Sequence, residues 1–404
     1  MHTLRELPCT SLFFRLPMAP RWAFCCLVLL CVADAAAQLP NPEQIPYPWK
    51  TDTAKHTSAF ADLHIAAEKD AIRTLDFPSF IAKDHPQNTY YEYEPAIVIQ
   101  FGNEARAYPL SVLTLFELAN DSIGGKQVMV TFCPMCHAAL VYNRTLKTPA
   151  GEKTFTFGVS GLLLHNDMVM YDHQTETWWE QLMGSGIAGD YSGKTLRMLP
   201  ALLISVKDFF DRYPEGKILS PDALNTYIKT HRHRPYHHLE HSGPLSGKYY
   251  LPEKTDPRLP PQEHVLDIRL EGHDRIYPFH ALAKAQVVNE TVGETPIVIF
   301  YHQETVTVLD KDDLSKSKRV GSATVFESKL NGVSYSFHKA GDYFIDDRTK
   351  SMWDITGLCR EGQLKGQQLT LVPHSHHFAF AYLAFYPDAE IYGVQSSPKK
   401  KIKE

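Results

Sequence analysis

Six motifs occur twice in this chain, in the same order and about 170 residues apart, and self-similarity at a fixed offset narrows the fold more than any local pattern does. Arg106-Ala107-Tyr108-Pro109 returns as Arg275-Ile276-Tyr277-Pro278, and Asn120-Asp121-Ser122-Ile123-Gly124 as Asn289-Glu290-Thr291-Val292-Gly293. The apolar run ending at Phe132 returns as Pro296–Phe300. Tyr171-Asp172-His173-Gln174-Thr175 answers Ile345-Asp346-Asp347-Arg348-Thr349, and Trp179-Glu180 answers Trp353-Asp354. Last, Phe209–Pro214 is matched by Tyr382–Pro387. Each copy reads as strand, Tyr-Pro, helix, Asn-containing turn, strand and Trp segment. The expected fold is therefore α+β and strand-rich, with two related repeats, 94–216 and 263–393, packed as a pseudo-symmetric pair.

The segments outside the copies have other characters. Arg15 and Arg21 precede an apolar run, Trp22–Val32, and Ala35-Ala36-Ala37 offers small residues for cleavage. That run is shorter than the roughly 20 residues a membrane span needs. Residues 1–37 are thus expected to be a cleaved signal peptide, giving a secreted or periplasmic product with no span in the mature chain. Residues 38–93 read as an extended leader with one short helix near Ala59–Ile72. Between the copies, 217–262 reads as a polar linker rich in Pro and His; His231, His233, His237, His238 and His241 fix no coordination geometry there. The end, 394–404, is a basic solvated tail. A formal net charge of −5 argues against a nucleic-acid surface.

Within the first copy, Val128–Phe132 delivers Cys133-Pro134-Met135-Cys136-His137. Of the seven cysteines, four precede residue 38, so the mature chain keeps only this pair and Cys359. The second copy has about Tyr301 and Glu304 where Cys133 and Cys136 stand, so the thiols are dispensable to the frame and point to function. A lone C-x-x-C leaves three chemistries open: redox, metal binding or a structural disulfide. A redox pair would use His137 to lower a thiol pKa. A metal site would need two ligands beyond the thiolates, with His137, His165, Asp172 and Cys359 as candidates. Copper is the first expectation and zinc the second, because Met135, Met168 and Met170 are soft donors nearby. Metal ligands are expected at Cys133, Cys136, His137 and His165.

Two further clusters bear on a cleft. Gly158-Val159-Ser160-Gly161 is one residue short of a nucleophile elbow and lacks its strand–turn–helix context, which disfavours a serine hydrolase. His165, Asn166 and Asp167 form a turn between apolar runs. His165, Asn166, Asp172 and Trp178 are expected to line a cleft, although Asp172 recurs as Asp346 and so also fits a turn-capping role. The partner expected there is an unidentified small molecule or metal ion. The alternative to a metal or thiol protein is a non-catalytic extracellular binding module with a Cys133–Cys136 disulfide and an aromatic cleft. Asn120, Asn143 and Asn289 stand in glycosylation sequons.

Taken together, Tyr108-Pro109, Asn120-Asp121, Thr131–Cys136, Phe157–Leu163, Met170-Tyr171-Asp172 and Trp179–Gly184 resemble domain of unknown function 3179. The likeness covers most of residues 90–220 and, more faintly, the second copy. The resemblance implies a domain often found behind signal peptides and implies no activity. Members commonly carry a histidine before the glutamate that precedes the Asn-Asp pair, where this chain has Phe116 before Glu117.

Overall fold

A computed structural model describes residues 45, 48–58, 60–240 and 255–394. The expected signal peptide, His241 and the tail from residue 395 lie outside the described residues. The described chain is strand-rich with few helices.

The strand Pro95–Phe101 turns at Gly102-Asn103 into Glu104–Pro109, in antiparallel register from Ala96↔Pro109 to Phe101↔Glu104. Pro109 suits the entry to the helix Leu110–Phe116, since its fixed φ and missing N–H cost nothing at a helix start. The helix ends at Phe116, because Glu117 takes a left-handed conformation at φ 56°. Asn120 was expected in a turn but lies inside the strand Leu118–Ile123; the turn falls two residues later, at Gly124-Gly125. That hairpin continues into Lys126–Cys133 and Ala138–Asn143.

The second half repeats the order with His264–Leu270, His273–Pro278, the helix Phe279–Ala285, Val287–Val292, Thr295–His302 and Ser322–Glu327. Both halves then close with a strand, a helix and a short strand: Leu202–Ser205, Val206–Arg212 and Lys217–Leu219 in the first, His374–Phe378, Ala379–Phe385 and Glu390–Ile391 in the second. In each half the closing strand pairs antiparallel with the opening one, and the last short strand runs parallel to the second.

The two halves share an eight-stranded sheet, in which Ala138–Asn143 of the first half neighbours His374–Phe378 of the second through the pair Ala139↔His376. Leader strands also join the sheets: Leu63–Ile65 pairs with Phe157–Leu164, Leu75–Asp76 with Leu118–Ile123, and Phe80–Ile81 with Lys217–Leu219. The short helix expected near 59–72 is one 3-10 turn, Phe60–Asp62. The connection between halves contains the helix Asp222–His231, and its Glu240 is buried 3.1 Å from His264.

Several recurring motif residues hold the same bonds twice. The Asn120 amide donates to the Phe157 carbonyl at 2.8 Å, and its oxygen accepts from the Phe157 N–H at 3.0 Å. Asn289 makes the same pair with Phe337, at 2.9 and 2.8 Å. Asp172 accepts from Thr175 N–H at 2.7 Å and from Trp179 Nε1 at 3.0 Å; Asp346 accepts from Thr349 N–H at 2.6 Å and from Trp353 Nε1 at 3.1 Å. Tyr108 donates to Asp121, and Tyr277 to Glu290. These side chains recur because buried backbone and indole groups need partners in both halves.

Candidate metal centre

Two hairpin ends meet in the first half. Cys133 closes the strand Lys126–Cys133 opposite Ala138, and Pro134–His137 forms the turn between them. His137 takes φ 51° and its N–H donates to the Pro134 carbonyl at 3.3 Å. The second hairpin joins Phe157–Leu164 to Asp167–Asp172, with Leu164 opposite Asp167. Its two turn residues, His165 and Asn166, have φ 50° and 69°, as a two-residue turn that follows strand twist demands. The Asn166 carbonyl accepts from the Cys136 thiol at 3.0 Å and lies 3.9 Å from Cys133 Sγ.

The ligand-type atoms of Cys133, Cys136 and Asp167 all lie within 4.8 Å of one another, and all three residues are buried. Around them are polar atoms with no hydrogen-bond partner: both side-chain atoms of Asn166, Asp167 Oδ1 and Gln181 Oε1. Asn166, Asp167, Glu180 and Gln181 are fully buried. Asp167 Oδ2 and Glu180 Oε1 both accept from the Leu182 N–H, at 3.0 and 2.9 Å, and Glu180 Oε2 accepts from Met183 N–H at 2.6 Å.

Electrostatics follow from that burial. Loss of solvent pushes the Asp167 carboxyl well above its usual range, reinforced by Cys133. The same desolvation raises Glu180, and Asp167 beside it raises it further. Two buried carboxyls in contact cannot both carry charge cheaply. Burial and the Cys133 neighbour likewise raise the Cys136 thiol well above its ordinary value.

This geometry brings together only part of the expected ligand set. Cys133 and Cys136 come together, but the third member is Asp167, and His137 and His165 are outside the group. The His137 ring packs against Phe132, Phe378 and His264, with ring centroids 5.6, 5.3 and 4.5 Å away. The His165 ring stands against Phe385 at 5.2 Å, half-buried. Asn166 contributes through its carbonyl and stands beside the group. Asp172 caps its own turn and holds Trp179. Trp178 is fully buried between Trp49 and Phe60 rather than facing open space. The disulfide expectation is also corrected: Cys133, Cys136 and Cys359 are free thiols.

Among the described residues, the second half has no equivalent of the group. Phe132 N–H donates to the Glu117 carbonyl and Tyr301 N–H to that of Gln286, which puts His302, not Tyr301, at the place of Cys133. The hairpin of Phe337–Ala340 and Tyr343–Asp346 closes at Gly341-Asp342, short of where an Asp167 would stand.

Ser160 is buried inside this scaffold; its hydroxyl donates to the Val169 carbonyl and accepts from Leu162 N–H, so it braces a β-bulge. One buried polar cluster has no sequence motif behind it. Ser375 Oγ and Asp267 Oδ1 both face Nε2 of His377, at 2.7 and 3.2 Å. A proton relay needs the carboxylate and hydroxyl on opposite ring nitrogens, so this is a packing network.

The fold and site thus define a strand-rich protein with, among the described residues, one buried Cys/Cys/Asp group. The chain belongs to the family described as "Protein of unknown function (DUF3179)", whose model matches residues 69–389. No curated protein and no solved structure matches it.

Proposed function

We propose that the protein binds one metal ion, zinc ahead of copper, through Cys133, Cys136 and Asp167, and that the ion pins the two hairpin ends together. The observation that carries this is the convergence of three buried ligand-type side chains beside an Asp167 oxygen with no hydrogen-bond partner. Zinc binds sulfur at about 2.3 Å and carboxylate oxygen at about 2.0–2.2 Å, so tetrahedral ligand atoms sit about 3.3–3.8 Å apart. Small side-chain rotations close the existing group to that size. A carboxylate ligand favours zinc over copper(I), which prefers an all-sulfur or sulfur–nitrogen set. Asn166 Oδ1 or a water completes the coordination, and Glu180 keeps a proton and hydrogen-bonds Asp167 from behind.

Thiol redox chemistry is the weaker reading. Its nucleophile is an exposed thiolate of low pKa, whereas Cys136 is buried and its pKa is raised. The shared hydrogen bonds of Asn120 and Asn289, and of Asp172 and Asp346, support reading the two halves as copies of one unit, the first running on to the strand Lys217–Leu219. Only the first copy keeps the metal group. Export behind residues 1–37 fits a site that must protect thiols from oxidation.

Protein purified without a His tag and assayed by elemental mass spectrometry should carry about one zinc per chain, lost in Cys133→Ser. Metal-free wild type that takes up no zinc or copper on titration would overturn the proposal. Among the described residues, no helix is long and apolar enough to cross a membrane.

A further inference from the structure

At the far end of the cysteine hairpin lies a groove of about 760 Å³. Val128 pairs with Asn143 and Cys133 with Ala138, so the groove begins roughly 17 Å from the thiols, at about 3.4 Å per strand residue. Its walls carry Lys126, Lys147, Lys194 and Arg197 against a single carboxylate, Glu152. All four cations are exposed, and none forms an ion pair or side-chain hydrogen bond with another described residue. A second large cleft is different: there Lys207 pairs with Asp211, and Arg360 with Asp354.

Four like charges facing one concavity repel each other, and low-dielectric walls concentrate their field. The chain as a whole is anionic, at −5, so this patch inverts the local sign. Asn143, Thr145 and Thr195 add hydroxyl and amide groups, while Leu146 and Phe101 supply apolar surface. The protruding hairpin of Thr145–Thr148 and Gly151–Thr154 forms one wall. Size, polar groups and apolar surface together suit a few sugar rings, since ligand sites fall in the range of about 300–1,000 Å³.

The geometry points to a binding site for an oligosaccharide bearing carboxylate or sulfate groups. The cations neutralise the anionic substituents, Asn143 and the threonines bond ring hydroxyls, and the apolar patches take ring faces. The site is independent of the metal centre and requires no metal.

The full chain is titrated by calorimetry with a sulfated octasaccharide, a uronic-acid oligomer, a neutral oligosaccharide of the same length and a single-stranded oligonucleotide. One or both anionic sugars should bind, with salt-dependent affinity, and the neutral sugar about tenfold or more weaker. A Lys147→Glu/Arg197→Glu variant should lose about tenfold or more in affinity with thermal midpoint and metal content unchanged, whereas Lys229→Glu, outside the groove, should bind as wild type. Four outcomes overturn the proposal: equal binding of the neutral sugar, tightest binding of the oligonucleotide, no binding at all, or undiminished affinity in the double variant.

Discussion

The Cys136 thiol donates to the Asn166 backbone carbonyl at 3.0 Å, which locks together two hairpin ends that are 30 residues apart in the chain. Under the proposed metal-binding function, a cation would replace the protons that burial holds on this thiol and the carboxyl beside it.

The ligand assignment can be tested by contrast. Asp167→Ala should abolish zinc binding, while His165→Ala should retain about one zinc per chain. Native thiols should resist a disulfide reagent until a chelator is added. Full zinc content in Asp167→Ala, measured by elemental mass spectrometry, would restore the histidine-based set.

The twin asparagines make different contributions. Asn120→Ala strips two buried backbone partners from Phe157 and should cost about 2–4 kcal/mol. Asn289→Ala breaks the same two bonds in a part-buried setting, on a residue that is itself exposed, and should cost about 1–2 kcal/mol. Urea unfolding of both variants checks the order; a larger loss for Asn289→Ala would contradict it.

Glu117 supplies a pH test. Burial raises its carboxyl to about 8, against a hydrogen bond from Tyr236 that lowers it. An unfolded glutamate titrates near 4.3. Between those values the folded chain keeps a proton that the unfolded chain has lost. Its contribution to stability is therefore full below about pH 4.3 and declines by about 1.4 kcal/mol per pH unit up to about 8. Glu117→Gln removes this titration, so it should gain on wild type as pH rises from 4.5 to 8. A stability difference that does not change with pH, followed by denaturant titration, would refute the shift.

Gly161 occupies the bulge where pairing shifts between Val159 and Leu162. Its φ is +78°, and an added Cβ would meet the Ala67 carbonyl oxygen at 2.1 Å. Gly161→Ala should destabilise by about 2–4 kcal/mol, since strained backbone and a fixed clash add. It should also loosen the leader, whose Ala66 and Ala67 N–H groups donate to the Gly161 carbonyl. Thermal melting and proteolysis within residues 60–76 give the readout.

Much of the scaffold was legible in the chain because its pattern is local. Alternating apolar runs mark strands, and Asn, Asp and Trp recur wherever the same backbone groups need a partner. Asn120 was misplaced in a turn because Asn favours turns, while here its amide reaches across to Phe157 from within a strand. The strands of 63–81 leave no pattern in the sequence because each is only two or three residues long and draws its pairing from a partner sheet.

The sequence alone determined the C-x-x-C pair, its absence from the second half and the strand-rich repeat, since spacing and order are properties of one dimension. Only the tertiary structure brings Asp167, rather than His137 or His165, within 4.8 Å of the two thiols. His165 and Asn166 are consumed as the positive-φ turn of their hairpin, and His137 as a packed ring against His264. Which side chain faces a neighbouring hairpin depends on the turn's handedness and the register of two sheets. Both are set by contacts between residues far apart in the chain, and no local pattern encodes them.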